Sequence, residues 1–251
     1  MAFLQFENIE KTFVNERREE VHALSGLTFD CQKGEFLCIV GPTGCGKTTL
    51  LRIAAGLDRA DSGTVRIGGD DVKGIRSETT LVFQQYSLFP WRNVMDNVAF
   101  GLEMRTQDKK TRYSLSRRFI ELMGLTGFEK AYPHELSGGM QQRVAIARAL
   151  AYDPVLLLMD EPFGALDIRT RYRLQEELLN LWQEERKTIL FVTHTIDEAI
   201  VLADRILIMR DRPGRIERSI SVGPPRPRDR RSKAFLELHI KIREVLEKII
   251  N

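Results

Sequence analysis

Residues 41–48 have the sequence Gly-Pro-Thr-Gly-Cys-Gly-Lys-Thr, which is the composition and spacing of a phosphate-binding loop. The glycines allow successive backbone N–H groups to point inward at phosphate oxygens. Lys47 can reach the β- and γ-phosphates of a nucleotide, and the hydroxyl of Thr48 can bind Mg²⁺. The motif predicts a nucleotide ligand, ATP or GTP, but it does not indicate how the energy of that nucleotide is used.

The segments on either side of this loop have the character that a phosphate-binding loop requires. Residues 35–40 form a short apolar run typical of a buried strand, and residues 49–55 are compatible with a helix that ends at Gly56. The N-terminus of that helix adds a partial positive charge to the loop. A chance match to the motif is roughly a one-per-cent event in a chain of this length, and the flanking pattern makes chance rarer still.

A pair of acidic residues forms the second group with chemical potential. Asp160 follows the most apolar run of the chain, residues 155–159, and Glu161 comes next. Asp160 is placed to hold Mg²⁺ directly or through water, and Glu161 to polarise a water that attacks a phosphoryl group. The alternative is an acidic pair in a turn before Pro162. The phosphate-binding loop upstream favours the functional interpretation.

The predicted elements alternate between strands and helices. Strands are expected at residues 4–9, 24–30, 35–40, 64–67, 79–83, 155–159, 188–193, 205–209 and 215–218. Helices are expected at residues 93–104, 111–123, 140–151 and 170–182. A further helix is expected to begin at the capping-box pattern of residues 195–198, and a last one is indicated by an apolar stripe over 235–249. This order predicts an α/β fold with a parallel sheet.

The candidate residues are expected to meet at one edge of that sheet. Gly41, Gln84, Asp160 and His194 each follow a predicted strand. Ligands of open α/β sheets bind beyond the carboxyl ends of the strands. We therefore expect these residues to line one site.

Composition limits the classes of protein that the chain can belong to. Its 251 residues are 43% hydrophobic and 29% charged, which is typical of one large globular domain, or one and a half. The net charge of +3 is too balanced to indicate a nucleic-acid partner. No apolar run reaches the ~18–20 residues of a membrane span, and no signal peptide is visible. Cys31, Cys38 and Cys45 have neither metal-site nor disulfide spacing and fit a reducing compartment.

Residues 136–143, Leu-Ser-Gly-Gly-Met-Gln-Gln-Arg, contain a second candidate anion site. Ser137 and two glycines precede a predicted helix, whose N-terminus offers N–H groups and a hydroxyl; an ordinary Ser N-cap is the alternative. This stretch resembles the LSGGQ signature of the ABC ATPase family, with Met140 in place of the glutamine, as in a familiar transporter form. Residues 164–167, Gly-Ala-Leu-Asp, resemble the D-loop of the same family.

The resemblance extends over about residues 4–231 and implies a fold. It implies a P-loop NTPase core of the ABC ATPase type, with a parallel sheet, an antiparallel β subdomain and a helical subdomain at about residues 87–153. Residues 1–222 would form the nucleotide-binding domain, and residues 223–251 a Pro/Arg-rich linker with a C-terminal helix.

The resemblance also implies roles for individual residues. Glu161 matches the catalytic glutamate, His194 the switch histidine that contacts the γ-phosphate, and Gln84 the Q-loop glutamine that senses metal and γ-phosphate. The implied catalytic residues are Glu161, His194, Gln84 and Lys47, and the implied metal ligands are Thr48, Gln84 and Asp160. The implied ATP-binding residues are Phe13, which would stack on adenine, Gly41, Pro42, Thr43, Gly44, Cys45, Gly46, Lys47, Thr48, Thr49, Gln84, Ser137, Gly138, Gly139, Gln141 and Asp167. Taken singly, Phe13 is equally a core residue, Gln84 a loop amide and His194 a capping residue.

A second ATPase subunit is the first implied partner. In this family two nucleotide domains enclose two ATP molecules, so that the signature of one subunit meets the γ-phosphate held by the other. The chain has one phosphate-binding loop and one signature, so the resemblance implies a homodimer that binds ATP with Mg²⁺.

The region after Gln84 points to a subfamily. Residues 84–98, with the Pro90-Trp91 pair, and residues 212–216 and 224–228 resemble the importer ATPases for nitrate, sulfonates and taurine. This implies ATP hydrolysis coupled to uptake of a small anion, a membrane permease, an indirect link to a solute-binding protein, and a position at the cytoplasmic face of the inner membrane.

Other interpretations of the family membership stay open. Importers for polyamines or pyrimidine precursors share parts of these segments. A soluble ABC ATPase of translation or DNA repair is disfavoured because a second cassette and a long coiled-coil insertion are lacking. A copy that does not hydrolyse ATP is disfavoured by the intact Lys47, Asp160, Glu161 and His194.

Three local features carry further expectations. Phe89 and Trp91 either dock a partner helix or fill the core of the helical subdomain. The thiolate of Cys45 is expected to be favoured beside Lys47 and a helix N-terminus, so that thiol modification blocks ATP binding. The C-terminal arginines are expected to form a solvated linker, with contact to anionic lipid as the alternative; they are Arg226, Arg228, Arg230 and Arg231.

Overall fold

The computed structural model describes residues 2–250 and contains two sheets. The larger sheet has six strands: β3 (Phe36–Val40), β6 (Thr79–Val82), β7 (Leu156–Asp160), β8 (Thr188–Thr193), β9 (Arg205–Arg210) and β10 (Arg215–Ser221). Their order is β10-β9-β3-β8-β7-β6, with β10 antiparallel at one edge and all other pairs parallel. The parallel α/β fold expected from the alternating pattern is confirmed.

The central strands are buried on both faces, which explains their continuous apolar sequences. Side chains alternate between the faces, so Phe36 and Cys38 belong to one core cluster while Leu37 and Ile39 belong to the other. The second cluster also contains residues of α1 (Lys47–Ala54) and of the smaller sheet. The apolar runs therefore specify a sheet that is covered on both sides.

The smaller sheet is antiparallel, with β1 (Ala2–Val14), β2 (Glu20–Gln32), β4 (Ser62–Ile67) and β5 (Asp70–Asp71) in the order β2-β1-β4-β5. The first two strands are each 13 residues long and exceed the expected strands at both ends. Register shifts occur near Glu7 and Glu10, and Asn8 has a left-handed φ of 51°. These irregularities interrupt the alternation of apolar and polar residues, so the sequence pattern predicts strands that are too short.

Residues 87–153 contain three α-helices, α2 (Val94–Ala99), α3 (Lys109–Leu122) and α4 (Gly138–Ala151), with short 3-10 turns at Gly101–Met104 and Pro133–Glu135. The prediction of a single helix at 93–104 is wrong, because α2 ends at Ala99 and a 3-10 turn begins at Gly101. A Cβ there would lie 2.7 Å from Cδ2 of Tyr152, so the backbone passes against that ring.

The remaining helices are α5 (Ile168–Glu185), α6 (Ile196–Leu202) and α7 (Lys233–Ile250). The apolar stripe of α7 packs on the main core, with Phe235 and Ile242 buried, as its spacing predicts. No helix within residues 2–250 is long and apolar enough to span a membrane.

The arginines before α7 do not form a solvated linker, and that expectation is wrong for three of the four. The Arg226 guanidinium lies 4.4 Å from the Trp182 ring centroid and donates to Asp204 Oδ1 at 2.6 Å. Arg228 donates to the Ile200 and Ala203 carbonyls at the end of α6, both at 2.7 Å. Its burial lowers the pKa of Arg228 to about 10.

Arg230 lies over the Tyr172 ring at 3.9 Å and donates to Gln175 Oε1 at 2.6 Å, while Arg231 is exposed. The carbonyls left open at the end of α6 and the aromatic rings of α5 hold these side chains in place. They attach the segment before α7 to the core.

Candidate nucleotide-binding site

The carboxyl ends of β3, β7 and β8 lie side by side, with Val40 paired to Thr193 and Asp160 paired to Val192. A cavity of about 360 Å³ opens at this edge. Its lining residues are Phe13, Val21, His22, Ala23, Thr43, Gly44, Gly46, Lys47, Thr48, Thr49, Gln84, Glu161, His194 and Arg212. The structure thus brings together the phosphate-binding loop and residues that follow β6, β7 and β8.

The loop before α1 is packed so tightly that two of its glycines, Gly41 and Gly46, have no room for a side chain. A Cβ at Gly41 would lie 2.6 Å from the Met209 carbonyl oxygen, and a Cβ at Gly46 would lie 2.7 Å from Cδ2 of Leu24. Gly46 also has a φ of 97° and precedes α1 without a side-chain cap. The first N–H groups of α1 are therefore available to an anion.

Lys47 is held inside the loop. Its side chain is buried, with 5% of the residue exposed, and Nζ donates to the carbonyl oxygens of Gly41 at 2.9 Å and Pro42 at 2.7 Å. These bonds hold the ammonium at the floor of the cavity, where phosphate oxygens bound by the loop N–H groups come within its reach.

Asp160 lies at the end of β7, beside the first turn of α1. It is 4% exposed, and burial raises the pKa of its carboxyl. A hydrogen bond from Thr48 lowers that pKa and offsets part of the effect. No cluster of three His, Cys, Asp or Glu side chains suited to a metal occurs between residues 2 and 250. The Thr48 hydroxyl and the Asp160 carboxylate are hard oxygen donors that fit Mg²⁺, a cation that completes its shell with water and nucleotide phosphates.

Glu161 and His194 contact each other at the cavity wall. Glu161 Oε2 lies 2.9 Å from His194 Nδ1, and the backbone N–H of Glu161 donates to the Val192 carbonyl at 2.9 Å. Glu161 has a left-handed φ of 45°, a conformation that a non-glycine residue adopts at a cost. Gln84 is exposed and lines the same cavity.

Behind His194 a buried polar chain connects two loops. The Thr193 hydroxyl donates to Glu198 Oε2 at 2.6 Å and accepts from the Thr195 N–H at 3.0 Å. Glu198 Oε1 lies 3.7 Å from Arg171 Nε, and Arg171 donates to the Leu166 carbonyl at 3.1 Å. Burial raises the pKa of Glu198.

The capping box expected at 195–198 is therefore wrong. Thr195 makes no side-chain cap, and Thr193 bonds the glutamate instead, because Glu198 lies on the buried face of α6.

The signature residues stand apart from the cavity. Ser137 is the N-cap of α4, and its hydroxyl accepts from the Met140 N–H at 3.3 Å. Gln141 Nε2 donates to the carbonyls of Pro133 and Leu136 at 2.9 and 3.2 Å. The ATP-binding residues that the resemblance implies in the signature and the D-loop do not line the cavity; they are Ser137, Gly138, Gly139, Gln141 and Asp167, of which Asp167 caps α5.

The expected reactivity of Cys45 is contradicted. The residue is 1% exposed and does not line the cavity, and burial raises the pKa of its thiol although Lys47 acts in the opposite direction. Its Sγ packs against Gly41, where an added Cβ would lie 2.9 Å away. Gly41, Pro42 and Cys45 give the loop its shape and do not line the cavity.

Two cavity residues with polar side chains were not expected from the sequence, His22 and Arg212. His22 in β2 shares a 3.0 Å hydrogen bond with Thr12, next to Phe13, whose ring is partly exposed. Arg212 lies in the turn between β9 and β10. The local pattern of Arg212-Pro213-Gly214 predicts a turn, but no local signal shows that the turn packs on the phosphate-binding loop.

Known proteins resemble this chain over most of its length. The family described as ABC transporter matches residues 24–164. An ABC transporter ATP-binding protein of Methanocaldococcus jannaschii is 52% identical over 97% of this chain and 91% of its own length. A nitrate import ATP-binding protein of Synechocystis sp. is 46% identical over 88% of this chain and 83% of its own length. An aliphatic sulfonates import ATP-binding protein of Bacillus cereus is 44% identical over 98% of this chain and 96% of its own length.

Solved structures agree with the sequence comparisons. A dimeric ATP-binding cassette in a post-hydrolysis state, bound to ADP and Pi, superposes with a TM-score of 0.81 at 31% identity, over 88% of this chain and 100% of that one. The expected P-loop NTPase fold is confirmed. The matched segment 24–164 contains the phosphate-binding loop, Gln84, the signature and the acidic pair. The chain belongs to the ABC transporter family and is an ATP-binding ATPase of that family.

Proposed function

We propose that this chain is the ATPase subunit of an importer that drives uptake of a small anion, nitrate or a sulfonate, through a membrane permease. The observation that carries the ATPase part is the 2.9 Å contact between Glu161 and His194, in one cavity with Lys47 and Thr48. The import part is supported by relatives named for nitrate and aliphatic sulfonates import, which this chain matches over 88% and 98% of its length.

Several residues at the site have distinct tasks in hydrolysis. Adenine stacks on Phe13, and the loop N–H groups with Lys47 bind the phosphates. Glu161 accepts a proton from the water that attacks the γ-phosphorus, while the bond to the β-phosphate oxygen breaks and ADP leaves. His194 holds the Glu161 carboxylate through Nδ1 and contacts the γ-phosphate. Thr48, Asp160 and Gln84 would hold Mg²⁺, which would neutralise charge on the phosphates.

The second half of the site comes from another copy of the chain. Ser137 and Gly138 are exposed at the start of α4 and do not line the cavity that contains Lys47. Their N–H groups and hydroxyl meet the γ-phosphate of the partner's ATP, so ATP binding closes the dimer and hydrolysis reopens it.

The permease docks beside the Q-loop, at a surface that we call the aromatic face. It consists of Phe89, Trp91 and Phe100, of which Trp91 is 72% and Phe100 38% exposed. The ring centroid of Phe89 lies 5.6 Å from that of Trp91 and 4.5 Å from that of Phe100. Trp91 does not fill the core of the helical region, which was the alternative considered for it. A permease helix is the occupant because this face begins five residues after Gln84, so docking there reaches the ATP site.

The chain then lies on the cytoplasmic face of the membrane, where ATP is supplied. The transported anion contacts the permease and a solute-binding protein and does not contact this chain.

Glu161→Gln tests the ATPase part. It keeps the shape of the site and removes the base, so we expect hydrolysis to fall by about 10²–10⁴-fold while ATP produces a dimer on a sizing column. Glu176→Gln, an exposed glutamate on α5, is the matched control and should keep full activity. Unchanged hydrolysis, or a variant that stays monomeric with ATP, would refute the assignment.

Purification of the tagged chain from its native membranes, followed by mass spectrometry, tests the import part. We expect a polytopic permease that is lost with Trp91→Glu and kept with Leu236→Glu, an exposed residue of α7. A solute-binding protein that co-purifies would then be screened with nitrate and taurine. Recovery of ribosomes or DNA in place of a permease would overturn the importer proposal and leave the ATPase result standing.

A further inference from the structure

We propose that Arg212, in the turn between β9 and β10, is a nucleotide-contacting residue whose guanidinium binds the phosphate chain of ATP. The phosphate-binding loop, the Q-loop glutamine, the signature and the acidic pair do not include this position, and it lies more than 160 residues from the phosphate-binding loop in the sequence. The inference rests on ATP binding and is independent of import.

The turn that carries Arg212 is fixed against the site. Gly214 donates its N–H to the Ala23 carbonyl at 3.0 Å, and the Ser25 N–H donates to the Gly214 carbonyl at 3.2 Å. A Cβ at Gly214 would lie 2.2 Å from the Cys45 carbonyl oxygen. The turn is therefore wedged between β2 and the phosphate-binding loop, and its backbone has little freedom to move away.

The side chain of Arg212 reaches over the loop. Its Nη2 lies 3.4 Å from the position that a Cβ of Gly44 would occupy, and the residue lines the cavity together with Gly44 and Lys47. Gly44 belongs to the glycine-rich part of the loop, whose N–H groups face phosphate oxygens. Phe13, the expected adenine contact, lies in the other sheet, so the position of Arg212 above Gly44 favours the phosphates.

Among residues 2–250, Asp211 is the one charged partner of the Arg212 guanidinium. The Arg212 side chain is 71% exposed, and its ion pair with Asp211 has an Nε–Oδ1 distance of 4.0 Å. Arg215, three residues later, donates to Ser25 Oγ at 3.1 Å, and Arg205 donates to Glu35 Oε1 at 2.8 Å. A loosely held arginine can take up a phosphate with two parallel hydrogen bonds at a small cost in broken contacts.

Lys47 alone leaves much of the triphosphate charge unmatched. Its ammonium already donates to two loop carbonyls, and it lies at the floor of the cavity. Arg212 approaches from the solvent side of the loop, so the two cations contact different oxygens of the same phosphate chain. This arrangement predicts that Arg212 contributes affinity through the phosphate chain and is indifferent to the base.

Equilibrium binding to the full chain tests the proposal, with ATP, ADP and inorganic triphosphate as competitors of a fluorescent ATP analogue. We expect Arg212→Ala to weaken all three by about tenfold, the loss of one charge-assisted hydrogen-bonded contact. Arg212→Lys should recover part of the affinity, because it restores the charge without the planar fork. Arg215→Ala, the matched control at the first residue of β10, should bind as the unmodified chain does.

Two results would overturn the inference. Unchanged affinity in Arg212→Ala shows that the guanidinium does not touch the ligand. Loss of affinity for ATP and ADP with unchanged affinity for inorganic triphosphate assigns Arg212 to the base or ribose. Because Arg212 is exposed, thermal unfolding of the variants should match that of the unmodified chain, and the readout needs neither hydrolysis nor a permease.

Discussion

Two helix N-termini of this chain have the character of anion sites, and they differ in how complete they are. The start of α1 has no side-chain cap, contains the buried Lys47 and opens into the cavity. The start of α4 is capped by its own Ser137, is exposed, and does not line that cavity. The first can therefore bind a phosphate alone, whereas in the proposed dimer the second contributes to a phosphate that the partner holds.

The largest expected effect comes from disabling each terminus separately. Lys47→Ala removes the buried cation, so we expect ATP binding and hydrolysis to be lost together. Gly139→Asp places a carboxylate at the start of α4, where Gly139 does not have a positive φ and its nearest neighbour is Leu166 Cδ2, 3.3 Å from an added Cβ. This variant should still bind ATP as a monomer, while hydrolysis falls by about 10²-fold or more.

Mixing the two variants sharpens the comparison. In a dimer of one Lys47→Ala chain and one Gly139→Asp chain, both changes fall in the same composite site and the other site is intact. Phosphate release should therefore reappear in the mixture, although neither variant is active alone. If the mixture stays as inactive as its components, α4 does not complete the site of a partner.

Cysteine alkylation compares how accessible the two termini are. Cys45 is buried beside α1, and burial raises its thiol pKa, whereas Ser137→Cys would place a thiol on an exposed loop. We expect iodoacetamide at neutral pH to label the introduced thiol at least about tenfold faster, since each pKa unit changes the thiolate fraction tenfold. Labelling of Cys45 should accelerate as the pH rises, because a raised pKa keeps its thiol protonated at neutral pH.

The unmodified chain is the control, since its three cysteines are all buried and free. Rapid labelling of Cys45 that ATP suppresses would restore the reactive-cysteine expectation and contradict the buried geometry.

The sequence was sufficient for the parts of the site that a parallel sheet brings together. Gly41, Asp160 and His194 follow apolar strand patterns, and the carboxyl ends of parallel strands meet at one edge. Gln84 follows the edge strand β6 and lines the cavity with His194, whereas Gly41 and Asp160 lie beside it and are not lining residues. Their meeting follows from topology, and the topology is visible in the order of the strands.

Features that depend on packing between distant segments could not be predicted in this way. Arg212 meets the loop through a turn whose sequence shows its shape but not its neighbour. Arg228 bonds carbonyls at the end of α6, although its own segment is rich in proline and charge. The side on which Cys45 lies depends on the path of the loop, which the spacing of the motif does not reveal.

The smallest expected effect concerns the cap itself. Ser137→Ala removes the hydroxyl that accepts from the Met140 N–H, so the free energy of unfolding should fall by about 1 kcal/mol. Ser137→Asp restores a cap and should recover this stability in urea unfolding. It also places a negative charge at the start of α4, so hydrolysis should fall in Ser137→Asp although its stability does not.

The pair of variants separates the two duties of this N-terminus. A structural cap alone predicts that stability and hydrolysis change together, because aspartate is as good a cap as serine. A terminus that also receives the partner's phosphate predicts that the aspartate variant is stable and inactive. Full hydrolysis by Ser137→Asp would mean that Ser137 only caps α4 and that this N-terminus does not bind the partner's phosphate. The N-termini of α1 and α4 would then differ in burial, and only that of α1 would bind a phosphate.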